Sequence, residues 1–97
     1  MLSLLNIKDT KPGFNILTSN ITLPTLAAGI KDDTYVFYNP TTNNSVYVIT
    51  TSDLTIHGQA QGATTTFKVY PGNTVGLRLS KLTSSPDSYG WVVVSGT

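Results

Sequence analysis

Apolar and polar residues alternate along most of this chain with a period of two, the spacing that places side chains on opposite faces of a strand. The clearest stretch is residues 34–58, TYVFYNPTTNNSVYVITTSDLTIHG. Residues 34–38 and 45–50 are rich in β-branched and aromatic residues, which suit a pleated surface. Pro40 and the asparagines between them are turn chemistry, so the pattern predicts an antiparallel hairpin, followed by a third strand over residues 54–58. Upstream, residues 14–18 and 20–23 alternate, and Pro24 ends the second run. Residues 25–33 read as one helical turn or as a loop, with Gly29 against anything longer. Downstream, residues 64–70 form a strand, and Pro71-Gly72 is placed as a type II turn requires. Residues 74–79, with Val75, Leu77 and Leu79 inward, are expected to pair with residues 89–94 across a polar loop at residues 82–88.

Seven to eight short strands about ten residues apart predict an all-β fold, a small antiparallel β-sandwich or jelly-roll-like barrel over residues 13–97. Residues 1–12 are distinct: Leu2, Leu4, Leu5 and Ile7 are apolar, and a charged, turn-like run follows. They form either a strand closing the sheet or an arm that docks on a neighbour. Trp91-Val92-Val93-Val94 and Tyr35-Val36-Phe37-Tyr38 are apolar on both strand faces. Both faces must then be covered, so Val36, Tyr38, Trp91, Val92 and Val94 are expected at contacts between copies, with Leu2, Leu4 and Leu5 anchoring to a partner.

Composition narrows the function. Ninety-seven residues make one domain with a thin core, and with no cysteine to staple it the natural supplement is oligomerisation. Charged residues are 11% of the chain, glutamate is absent and the net charge is +1. The lysines are scattered, so no basic stripe offers itself to nucleic acid. No apolar run approaches the ~20 residues of a membrane-spanning helix, and no secretory signal is visible; synthesis in a cytoplasm is expected.

The order of Ile21-Thr22-Leu23-Pro24, Ala28-Gly29, Tyr35-Val36-Phe37-Tyr38-Asn39, Leu54-Thr55-Ile56-His57-Gly58, Val69-Tyr70-Pro71-Gly72-Asn73-Thr74-Val75-Gly76-Leu77 and Tyr89-Gly90-Trp91-Val92-Val93 resembles the small β-domains of tailed-bacteriophage virion proteins, found in tail fibres, spikes and head decoration proteins. The likeness runs over residues 20–96. It implies a virion structural component, homotrimeric and acting by binding, made in the host bacterial cytoplasm. The chain has no shaft, repeat or catalytic domain. That departure from fibres and spikes points to a capsid decoration (cement) protein bound to the major capsid protein or another virion protein. Host-receptor recognition by a tail-fibre or spike domain, through a surface glycan, is the alternative.

Candidate chemistry is sparse. His57 is the single histidine and Asp53 lies four residues before it, but no nucleophile elbow accompanies them and an extended strand holds them apart; His57 reads as a strand-end residue and no catalysis is expected. Asp32 and Asp33, even with Asp53 or Asp87, lack calcium-loop spacing and read as loop residues, so no metal or cofactor is expected. Tyr35, Tyr38, Tyr47, Tyr70, Tyr89 and Trp91 either stack on a sugar or serve core and subunit contacts.

Overall fold

A computed structural model describes residues 11–40, 42, 44–59 and 62–96. Within them lie eight strands and no helix: β1 (Gly13–Ile16), β2 (Ile21–Thr22), β3 (Thr34–Tyr38), β4 (Tyr47–Thr50), β5 (Ile56–His57), β6 (Thr66–Val69), β7 (Thr74–Ser84) and β8 (Asp87–Gly96). Two sheets result, one of five strands in the order β1-β3-β7-β8-β5 and one of three in the order β2-β4-β6. The all-β, two-sheet class expected from the alternation is the class found. Both sheets are mixed rather than purely antiparallel, because β1 and β3, β2 and β4, and β5 and β8 run parallel.

The hairpin expected over residues 34–50 does not form. β3 pairs with β7 in the larger sheet, whereas β4 pairs with β6 in the smaller one. The connection between them crosses from sheet to sheet, and Asn39 fixes the crossing. This side chain is fully buried, and its Nδ2 donates to the carbonyls of Ser45 at 2.8 Å and Val69 at 2.9 Å, joining the end of β3 to the approach of β4 and the end of β6. Its backbone N–H donates to Asn73 O at 3.0 Å and its carbonyl accepts from Gly72 N at 2.7 Å, so the turn into β7 is held by the same residue. That turn is the expected type II: Asn73 N donates to Tyr70 O at 3.0 Å, and Gly72 has φ +85°, a region that costs a side-chain-bearing residue about 1–2 kcal/mol.

β7 and β8 do pair as an antiparallel hairpin, but they run well beyond the expected strands. The polar loop predicted at residues 82–88 is mostly ladder, reversing at Ser85-Pro86 through a cis peptide bond. Thr83 Oγ1 bonds the Pro86 carbonyl at 2.9 Å and the Ser88 hydroxyl at 2.8 Å. Residues 25–29 form a turn, with Gly29 N donating to Thr25 O at 2.8 Å.

The core lies between the sheets. Ile21, Ile49 and Val69 come from the smaller sheet; Tyr35, Phe37, Ile56, Val75, Leu77, Leu79 and Trp91 come from the larger, with Leu17 and Leu23 from the chain just after β1 and β2. Trp91 is wholly buried, its ring edge-on to Tyr35 at 5.1 Å between centroids and 80° between planes, a favoured aromatic geometry.

Candidate binding face

Since β3 buries Tyr35 and Phe37, it must turn Thr34, Val36 and Tyr38 to the outside of the five-stranded sheet. Register carries this face across the neighbouring strands. Phe14 lies opposite Val36 and Ile16 opposite Tyr38 on one side; Gly76 lies opposite Val36 on the other. Val92, opposite Arg78, continues the same face on β8. An irregularity in β8 beside Gly76 and Leu77 adds Val94, whose Cγ2 would lie 3.3 Å from a β-carbon at Gly76. Ser95 Oγ would lie 2.6 Å from it, so only glycine lets these side chains rest on the strand and keep the face level.

The result is an apolar patch of Phe14, Ile16, Val36, Tyr38, Val92 and Val94, open to solvent at its edge: Phe14 is 65% exposed, Ile16 58% and Val94 50%. The rings of Phe14 and Tyr38 stack at 6.0 Å, 28° apart. None of the six carries a charge. Arg78 lies on the same face between Thr34 and Val92, and its Nη2 is 4.0 Å from Asp32 Oδ1, both side chains being exposed. The outer face of the smaller sheet is its opposite in character, carrying Thr22, Val48, Thr50, Thr66 and Lys68.

Four residues singled out from the sequence, Val36, Tyr38, Val92 and Val94, are thus brought onto one face. Trp91 is not: expected at a contact between copies, it is sealed in the core, because its neighbours Val92 and Gly90 take the outward positions. Leu2, Leu4 and Leu5 lie outside the described residues. Sequence reasoning missed Phe14 and Ile16 as surface residues. Their alternation with Asn15 was visible, but only the pairing of β1 with β3 shows that this side points outward. Asn15 anchors the edge, its amide donating to the carbonyls of Lys11 and Gly13 at 3.0 Å and of Val36 at 3.2 Å.

The other candidates each have a structural attachment. Both carboxylate oxygens of Asp53 accept from Leu26 N, at 3.2 and 3.3 Å, so Asp53 caps the turn at residues 25–29. His57 Nε2 contacts Thr55 Oγ1 at 2.6 Å, and no hydrogen bond joins His57 to Asp53 among the described residues. Asp32 and Asp33 tie their loop to β7 through the backbone, Asp32 N to Leu79 O and Leu79 N to Asp33 O. Asp87 pairs with Lys81 at 3.6 Å. Among the described residues no three His, Asp or Glu side chains gather as a metal set would. The six aromatic residues line no common face: Tyr35 and Trp91 are in the core, Tyr47 packs against it, Tyr38 stacks on Phe14, Tyr70 is exposed beside the turn at Pro71 and Gly72, and Tyr89 lies under the Lys31 ammonium at 5.5 Å. In comparisons with known proteins, no family model, curated protein or solved structure matches this chain.

Proposed function

We propose that this chain is a bacteriophage virion structural protein of the capsid-decoration type, associating as a homotrimer on the outer head shell and stabilising it by binding, without catalysis. The observation that carries the reading is the contrast between the two outer faces: one polar, as solvent requires, and one apolar over six side chains on three strands of the five-stranded sheet. An uncovered apolar face of this kind marks a site of association. A decoration protein works by burying such surface, each well-covered side chain contributing about 1.5–3 kcal/mol. The resemblance in the order of strands and turns supplies the virion setting.

The test is to add the purified protein to heads assembled without it and image them. Density at regular positions on the shell, with heads that survive heating or low salt better than bare ones, is the expected result. A protein that leaves bare heads undecorated refutes the proposal. Reproducible retention on host surface glycans in the same preparation would move the reading to receptor recognition by a tail component.

A further inference from the structure

We infer that the outer face of the five-stranded sheet is where a second copy of this chain packs, with β1 as the leading edge of the contact. The inference rests on the reading of the chain as a protein that works by binding and names the surface and the occupant. Area is the first argument. With a phenylalanine taken at about 200 Å², 65% exposure leaves on the order of 130 Å² of Phe14 uncovered. Ile16, Val94 and the half-buried Val36, Tyr38 and Val92 bring the patch to on the order of 400–500 Å². A standard interface covers about 800 Å² on each partner, about 60% of it apolar, so its apolar part is about 480 Å². The patch is the size of one such interface centre, and Thr34, Thr74, Ser80 and Ser95 supply a polar rim.

The second argument is the edge. Proteins guard exposed sheet edges with lysine, proline, bulges or very short strands. Three of the four edges comply: β2 and β5 are two residues long, and β6 carries Lys68. β1 has none of these within Gly13–Ile16, and it carries the two most exposed large apolar side chains of the described residues. An apolar strand with none of these guards within its own four residues, continuous with an apolar face, suits a surface that is covered in the working protein.

Charge selects the occupant. Arg78 lies on this face, opposite Thr34 and Val92, and its pairing with Asp32 leaves that end of the face without net charge. A neutral surface of a second copy packs on it without opposing net charge, whereas an acidic lipid surface or a strongly charged peptide finds no net counter-charge here.

The experiment uses the full chain and light-scattering mass over a dilution series, comparing the parent with Ile16→Lys and Val94→Lys on the face and with Val48→Lys on the polar face of the other sheet. The parent is expected at a multiple of 10.4 kDa. Each face variant should weaken self-association by at least about tenfold, and Val48→Lys should leave it unchanged. Trp91 emission reports folding, and two face variants guard against one that fails to fold. A parent that stays at single-chain mass into the high micromolar range overturns the inference; the face is then covered by this chain's own first ten residues or by a different protein. An oligomer that survives both face variants, or that Val48→Lys disrupts equally, overturns it as well. Shell binding is not part of this readout. A monomer that still decorates heads removes the inference and keeps the proposed function; an oligomer that ignores heads does the reverse.

Discussion

Replacing Asn39 should be among the most damaging single polar substitutions in this domain. The side chain is fully buried and its Nδ2 makes two good bonds, to Ser45 O at 2.8 Å and Val69 O at 2.9 Å. Asn39→Leu keeps the volume but removes both donors. Two bonds at about 0.5–1.5 kcal/mol each are lost, and two carbonyls at the sheet crossing are left short of a partner at about 1–3 kcal/mol each. Against this, Oδ1 of the native residue is itself buried without a protein partner among the described residues, and its removal returns part of the cost. The net expectation is a destabilisation of about 2–4 kcal/mol, or on the order of 10–25 °C in Tm for a domain of this size. Asn39→Asp, nearly isosteric, separates the hydrogen-bond argument from packing. Its carboxylate faces two carbonyl oxygens with no proton to offer, so burial raises its pKa in the folded state above the unfolded value of about 3.9. The folded state then holds the proton more tightly, and stability relative to the parent must fall as pH rises above about 4. Urea unfolding followed by emission of Trp91, the single and wholly buried tryptophan, measures both variants. A leucine variant within about 0.5 kcal/mol of the parent, or an aspartate variant that gains relative stability between acid and neutral pH, would refute the reasoning.

Other outcomes follow from the same structure. Gly29→Ala would place a β-carbon 2.7 Å from Cδ2 of the buried Leu79 and 3.2 Å from the backbone oxygen of Thr25, so the Leu79 side chain must repack and calorimetry should show a loss of about 1–3 kcal/mol. Gly72→Ala, at φ +85° in the turn into β7, should cost about 1–2 kcal/mol in urea unfolding, and a neutral result would mean that the turn relaxes freely. Asp53→Ala removes the acceptor for Leu26 N and should lower stability by about 0.5–1.5 kcal/mol, with the largest amide shifts confined to residues 25–29. Trp91→Ala should cost about 3–5 kcal/mol by thermal unfolding, since it empties the middle of the core.

The strands were legible in the sequence because alternation reports which side of a strand is buried. The runs around residues 34–38, 66–69 and 74–79 fell close to where strands form. Partnership was not legible, since the same alternation serves either sheet. Nothing in residues 39–46 distinguishes a hairpin turn from a crossing, and the decisive Asn39 bonds reach carbonyls 6 and 30 positions away. The hairpin tip was hidden for another reason: residues 80–88 are polar and exposed, a composition that marks loops as readily as a ladder extending past the core. For the candidate face, Val36, Tyr38, Val92 and Val94 were visible as surplus apolar positions. Phe14 and Ile16 required the pairing of β1 with β3, and Trp91 was misplaced because a strand apolar on both sides does not say which side is inside.

From β1 to β7 the chain changes sheet at every connection, and only β7 and β8 are neighbours in both sequence and space. Neither sheet is therefore a separable piece, and removing any one segment strips strands or their attachments from both layers. Such a weave leaves no stable half. Pairings between distant segments must close together, which puts folding in the slower, millisecond-to-second regime of all-β domains. It also makes the β7–β8 hairpin the one element able to form early from local contacts. Once closed, the two layers release their protected amides together, at the cost of opening the entire molecule, while the exposed tip around Ser85 and Pro86 frays independently.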